Sequence, residues 1–125
     1  MSTFAALGIK KPFIQSIKEL GINTPSEIQE KTIPILLDKR TDFVGLAQTG
    51  TGKTAAFGLP IVQQIDPTNT AVQALILSPT RELVQQIKKQ LFKYTKYYNQ
   101  KVFVEAVYGG EKIDKQICDR LANLM

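Results

Sequence analysis

The residues of this chain with the plainest chemical meaning lie together, in the run Ala47-Gln48-Thr49-Gly50-Thr51-Gly52-Lys53-Thr54. Glycines at 50 and 52 let the backbone curl until successive N–H groups converge on one point. A helix opening at Lys53 would add the positive end of its dipole there. Such a point suits a phosphate. Lys53 would bring a full positive charge to the β and γ phosphates of a nucleotide, and Thr54 would offer a hydroxyl to Mg²⁺. The alternative is a glycine-rich turn that binds nothing. Context favours the phosphate loop, because an apolar run precedes it and helical periodicity follows it. Its first position is Ala47 where the usual pattern has glycine.

That loop needs a strand and a helix to hold it, and the neighbouring sequence supplies both patterns. Phe43-Val44-Gly45-Leu46-Ala47 has the length and apolarity of a strand buried on both faces, and residues 53–65 read as a helix interrupted by Pro60. Ala74-Leu75-Ile76-Leu77 is a second short strand, followed by a helix over about 81–94 with Leu83, Val84, Ile87 and Leu91 on one stripe. Residues 102–107 form a third strand, Gly109-Gly110 turns the chain, and Ile113, Ile117, Leu121 and Leu124 place a last amphipathic helix running to Met125. Ahead of the loop, Phe13, Ile14, Ile17 and Leu20 mark a helix that stops at Gly21. A second helix opens at Thr24-Pro25-Ser26-Glu27, read as N-cap, first-position proline and capping-box glutamate, with a kink expected at Pro34. If Ser26 is the cap instead, Gln29 takes the capping-box position. Polar turns follow at 38–42 and 66–70. Strands alternating with helices specify the α/β class and a parallel sheet. Three strands are few for such a sheet, which averages about five to six, so the sheet reads as unfinished.

The totals set outer bounds. A chain of 125 residues with 43% hydrophobic content can form one domain with a modest core. Its formal charge of +5 suits a polyanionic partner such as nucleic acid. The single cysteine, Cys118, precludes an internal disulfide, fits a reducing compartment and is expected to pack on the apolar face of the last helix. No leader-like or membrane-length apolar segment occurs, so a cytoplasmic location and no membrane are expected.

Three further clusters have both a chemical and a structural reading. Pro79-Thr80-Arg81-Glu82-Leu83 joins a strand end to a helix start, where free N–H groups can hold a phosphate; a threonine cap with an Arg81–Glu82 surface pair explains it equally. Gly109-Gly110 is by itself a turn. Lys93-Tyr94-Thr95-Lys96-Tyr97-Tyr98 could be a stacking platform for nucleic acid, but at a helix end lysines favour the dipole and tyrosines cover a core edge. The structural reading is preferred there.

With these residues in place, the chain resembles the DEAD-box RNA helicases of superfamily 2, whose motifs it matches in order along nearly its whole length. Gly21-Ile22-Asn23-Thr24-Pro25-Ser26-Glu27-Ile28-Gln29, with Phe4 upstream, is similar to the family's Q motif, serine standing at 26 where threonine is usual. The stretch from Pro79 resembles motif Ia, with Val84 in place of alanine, and Gly109-Gly110 resembles the double-glycine motif. The resemblance implies a RecA-like P-loop NTPase fold, with helices on both faces of its sheet. Residues 1–125 would be the N-terminal portion of the first RecA-like domain, with the Q motif at 4–29 and the second such domain absent. It implies ATP and Mg²⁺ as cofactors. Gln48, Thr49, Gly50, Thr51, Gly52, Lys53 and Thr54 would hold the nucleotide, Lys53 and Thr54 acting in catalysis and Thr54 on the metal. Gln29 would read the adenine edge and Phe4 would stack on the base.

By the same resemblance Pro79, Thr80, Arg81, Gly109 and Gly110 would grip an RNA backbone. In the intact family ATP and RNA together close two domains over the strand and bend it, opening short duplexes. The Asp-Glu-Ala-Asp and Ser-Ala-Thr motifs do not occur in this sequence. Efficient hydrolysis and strand separation are therefore not expected of this polypeptide alone, which reads as a piece of a longer protein. Two rivals stand beside this reading. One is a nucleotide- or RNA-binding module that never hydrolyses ATP; the other is a P-loop small-molecule kinase, for which Gln29 would have no role. An unpaired sheet edge would also invite self-association.

Overall fold

The structure, a computed structural model, describes the backbone of residues 2–38 and 40–124 and side chains as far as residue 118. Lys39 and Met125, named in the expected turn and chain end, lie outside the described residues, and Leu121 and Leu124 outside the described side chains. Helix α1 spans Lys11–Glu19, α2 Glu27–Asp38, α3 Lys53–Gln64, α4 Arg81–Tyr94 and α5 Ile113–Leu124.

Each helix boundary has a local cause. Helix α1 ends in a left-handed glycine: Gly21 has φ +79°, its N–H donates to Lys18 O, and the Ile22 N–H donates to Ile17 O. That pair of bonds is the Schellman closure, which a Cβ at the left-handed residue would oppose. Helix α2 corrects the first of the two caps considered from sequence. It opens at Glu27 and not at Pro25; the Glu30 N–H donates to Ser26 O, and Gln29 Oε1 accepts from the Ser26 N–H at 3.0 Å. Ser26 is thus the cap position and Gln29 its reciprocal partner, because the glutamine reaches back three residues while Glu27 points outward to Lys31. Pro34 and Pro60 lie inside α2 and α3 without ending them. Thr80 caps α4, its Oγ1 accepting from the Leu83 N–H at 3.2 Å.

The core forms where the helices meet. Helix α3 is central, packed by α2 and by α4, and α1 packs on α4. Phe13 and Ile17 of α1, Ile33 of α2, Leu59 and Val62 of α3, and Leu91 and Tyr94 of α4 form one buried cluster with Phe4 and Ile9. Gly58 sets the α3–α4 approach: a Cβ there would stand 2.8 Å from Leu91 Cδ2 and 3.2 Å from the Tyr94 ring. Burial pushes the Tyr94 phenol up to about 12. It therefore stays neutral at any ordinary pH.

The Lys93–Tyr98 cluster belongs to this core edge, as the structural reading expected. Tyr98 stacks on Phe13 with centroids 5.0 Å apart, and Ser16 Oγ accepts from the Tyr97 N–H at 3.3 Å. Tyr97 Oη donates to Glu19, which also pairs with Lys96 at 2.6 Å. These contacts fasten α1 to the end of α4.

The expected sheet is where sequence and structure part. Residues 43–47, 74–77 and 102–107 are irregular: no ladder joins them and no strand is formed among the described residues. Composition specifies extended backbone locally, whereas a ladder requires an in-register neighbour about 4.8 Å away. The three segments do not supply that to one another. Several of their apolar side chains stay open to solvent, with Leu46 91%, Leu77 86% and Val44 85% exposed, while Val102 is buried and Ile76 and Val104 pack against the core. The last helix is also less covered than expected: Ile113 and Ile117 are exposed, and Cys118 is an exposed free thiol instead of a core residue.

The Glu19 cluster makes stability depend on pH. Hydrogen bonds from Lys96 and then Tyr97 hold the Glu19 carboxyl below its ordinary 4.5. A folded value below the unfolded one gives stability that is complete above the unfolded value and is lost as pH falls through the folded one. Thermal melts of the chain should therefore drop as the pH is lowered below about 4.5. Glu19→Gln should flatten that part of the profile while lowering stability at neutral pH.

Candidate nucleotide site and nucleic-acid interface

The phosphate loop has the backbone its glycines were expected to give. Gly50 and Gly52 have φ +77° and +81°, and Gly52 is the N-cap residue of α3. No side chain caps this helix, and its first turn holds no acidic residue, so its N-terminal N–H groups are left for an anion. Thr51 Oγ1 donates to Gln48 O at 2.7 Å across the turn, and Lys53 Nζ donates to Ala47 O at 2.7 Å across the mouth of the loop. Gln48, Thr49, Gly50 and Lys53 are exposed, and Thr54 is half-buried in the first turn of α3.

The start of α2 holds this loop from behind. Ser26 Oγ donates to Thr51 O at 2.7 Å, and Gln29 Nε2 donates to Gly52 O at 3.0 Å while Gln29 Oε1 takes the Ser26 N–H. Gln29 is only 3% exposed. Its amide thus ties the cap of one helix to the cap of the next, and a Cβ on Gly52 would fall 2.3 Å from Nε2. The sequence placed Gln29 at a ligand or, with Ser26 as the cap, at the capping-box position. The bond from Ser26 to Thr51 has no local sequence signal, since the two residues meet only through the fold.

Phe4 stands apart from this arrangement. It is 3% exposed and lies in the core cluster, so the ring face expected to meet a base is covered by protein here. The segment that carries it is held by Gln63 of α3, whose Nε2 donates to Gly8 O and whose Oε1 accepts from the Lys10 N–H.

A second exposed constellation joins the other two motifs. Pro79, Thr80 and Arg81 lead into α4, and the Arg81 guanidinium reaches Gly109 O at 3.5 Å with its carbon 5.3 Å from the Tyr108 ring centroid. Gly110, at φ +89°, is favoured here by its left-handed backbone, and a Cβ would also push the Arg81 guanidinium aside. Arg81 meets the double glycine, and no Arg81–Glu82 ion pair forms among the described residues. The remaining guanidinium donors face solvent, a fork that suits an anionic oxygen pair.

The loop geometry makes two substitutions unequal. Gly50→Ala and Gly52→Ala both meet the left-handed cost of about 1–2 kcal/mol. Only Gly52→Ala must also displace a buried amide, whereas the Cβ of Gly50 has open space. Thermal or urea unfolding should show Gly52→Ala the more destabilised of the two. Gln29→Ala should cost about 1–3 kcal/mol, because the Ser26 N–H and Gly52 carbonyl lose their partner.

Comparison with known proteins agrees with this arrangement. Residues 26–123 match the family model described as DEAD/DEAH box helicase. The chain is 47% identical over 117 residues to the ATP-dependent RNA helicase CshA of Listeria monocytogenes, covering 94% of this chain and 22% of that protein. It is 47% identical over 116 residues to the ATP-dependent RNA helicase DeaD of Escherichia coli K12, covering 93% and 18%. It spans about a fifth of the length of these curated relatives. Among solved structures, a DEAD box protein from Methanococcus jannaschii matches with a TM-score of 0.85 and 33% identity, over 93% of this chain and 31% of that one. Saccharomyces cerevisiae Dbp5 bound to RNA and ADP BeF3 matches at 0.75 and 26%, over 99% and 35%. The fold neighbours are RecA-like domains of DEAD-box helicases, and no described helix is long and apolar enough to cross a membrane. With its phosphate loop, Gln29 and Arg81 in these positions and the family model spanning residues 26–123, the chain belongs to the DEAD/DEAH box helicase family.

Proposed function

We propose that this chain is the ATP-binding portion of an RNA helicase that couples ATP binding and hydrolysis to RNA binding and local duplex opening, in a cytoplasmic setting. The observation carrying this reading is the uncapped N-terminus of α3 behind two left-handed glycines, tied to Gln29. The residues present fit ATP and Mg²⁺: the loop would take the phosphates, Lys53 would exchange Ala47 O for a phosphate oxygen, and Thr54 would ligate the metal. ATP supplies a phosphoanhydride whose cleavage drives the cycle. Gln29, with a second N–H and a second lone pair beyond the two bonds it makes, would read the adenine edge. Phe4 would stack on the base after leaving the core cluster. Pro79, Thr80, Arg81, Gly109 and Gly110 would hold the RNA backbone, whose recognition by guanidinium and backbone groups carries no base code.

The same reading completes the sheet. The segments at 43–47, 74–77 and 102–107 are strands of a parallel RecA-like sheet that forms when further strands pair with them. Apolar side chains open on these segments support this, since a strand of that composition is stable only between covering layers. A second reading is a nucleotide- or RNA-binding piece without its own hydrolysis. It is favoured by one fact of the sequence: the Asp-Glu-Ala-Asp residues that would hold Mg²⁺ and orient water are not among these 125.

Equilibrium titration of a fluorescent ATP analogue with Mg²⁺ tests the nucleotide site. Binding should be competed by ATP and not by GTP, and should be lost in Lys53→Ala and Gln29→Ala. Equal competition by GTP would overturn the adenine role of Gln29 and favour another kind of P-loop enzyme. RNA-stimulated phosphate release by the chain itself would exclude the binding-piece reading. The open apolar segments also predict self-association, visible as concentration-dependent sedimentation; a monomer at high concentration would overturn it.

A further inference from the structure

The side chain of Gln116 closes a contact that none of the matched motifs contains. Its Oε1 accepts from the Tyr108 N–H at 3.1 Å, and its Nε2 donates to Tyr108 O at 3.1 Å and to Glu111 O at 3.4 Å. One amide thus satisfies both backbone groups of the residue that precedes the double glycine. Tyr108 carries the ring over which the Arg81 guanidinium lies, and the next carbonyl, Gly109 O, receives the Arg81 hydrogen bond. The peptide planes that receive Arg81 are therefore set by a glutamine on a different helix, α5.

From this geometry we infer that Gln116 is a positioning residue for the RNA-facing surface: by locking the Tyr108 backbone it fixes the Arg81 guanidinium beside Gly109 and Gly110. The inference rests on the proposed RNA role of that surface. An arginine side chain that is already ordered loses less conformational freedom when it takes a phosphate, so its affinity depends on what holds it. Tyr108 and Gly109 hold it directly. Gln116 touches no part of the surface that RNA would meet and acts only through them. The left-handed Gly110 cannot fix the turn by itself, since glycine is the residue with the widest backbone freedom. Without the amide, the 108–110 segment would be restrained by little except the weak Arg81 contact at 3.5 Å.

The test is anisotropy titration of a fluorescent oligouridylate with the full chain at several salt concentrations. It compares wild type, Arg81→Ala, Gln116→Ala and the double variant. Gln116→Glu is a fifth variant that keeps an acceptor for the Tyr108 N–H and turns a carboxylate oxygen toward the Tyr108 and Glu111 carbonyls in place of the donor. Arg81→Ala should weaken binding and make the salt slope shallower by about one. Gln116→Ala should weaken binding by about fivefold or more, within the coupling seen between contacting residues. Its salt slope should shift toward that of Arg81→Ala, with no further loss when Arg81 is already alanine. Gln116→Glu should weaken binding at least as much as Gln116→Ala, and nucleotide affinity should be unchanged in both. Equal losses from Gln116→Ala in the two backgrounds, or no change in salt slope, would overturn the positioning role and leave the RNA surface standing. No RNA binding by wild type, or binding indifferent to Arg81→Ala, would instead remove the RNA reading of this surface and the inference with it.

Discussion

Much of the site depends on one primary amide. Gln29 sits between two helix starts, accepting from the Ser26 N–H and donating to Gly52 O. Both of its bonds are partly buried, and a buried N–H or carbonyl left unmatched costs about 1–3 kcal/mol, so a shift of either helix start alone is opposed. The constraint runs in the other direction as well. Gly52 must be glycine for its left-handed φ and because the amide fills the space a Cβ would take. The loop's shape and the orientation of α2 are thus one condition, met by Ser26 and Gln29 at one helix start and by Gly52, 23 residues beyond Gln29, at the next.

The same device recurs at three other irregular stretches of the chain. Gln63 bridges Lys10 N and Gly8 O, Gln73 bridges the N–H and carbonyl of Asp66, and Gln116 bridges those of Tyr108. A carboxamide presents one donor and one acceptor with the spacing of a peptide group, so it can pair with backbone as a neighbouring strand would. Each bridge fixes a short stretch of irregular chain against a helix or loop. No ladder forms among the described residues, and these amides together with the helix contacts hold the loops in place.

What the sequence made legible follows the range of the interactions involved. The positions of α3 and α4 were readable because glycine, threonine and apolar spacing act within a few residues. The Thr80 cap and the Schellman closure at Gly21 are local in the same sense. The α2 start was misplaced by two residues because Thr24, Pro25 and Glu27 form a plausible cap motif of their own, and only the bond to Gly52 decides for Ser26 and Gln29. Pairing of strands and burial of Cys118 depend on elements that must arrive from elsewhere, so apolar composition alone overstated both. Phe4 has a partner the sequence did not indicate: the isolated aromatic lies in the core cluster with Ile9 and Phe13.

Packing also links the two binding surfaces. The phosphate loop runs into the first residue of α3, and Thr80 and Arg81 open α4, so each candidate surface is the start of a helix. Those two helices touch where Gly58 admits Leu91 and Tyr94 to a distance that alanine would not allow. A close, side-chain-free contact leaves little room for α3 and α4 to slide past each other, because interiors packed at crystal density resist changes of a single methyl group. The Glu19–Lys96–Tyr97 cluster then fixes the far end of α4 to α1. Helices α1 to α4 therefore behave as one rigid frame carrying two anion-binding edges. The 108–110 turn lies outside those helices and is held by Gln116 of α5.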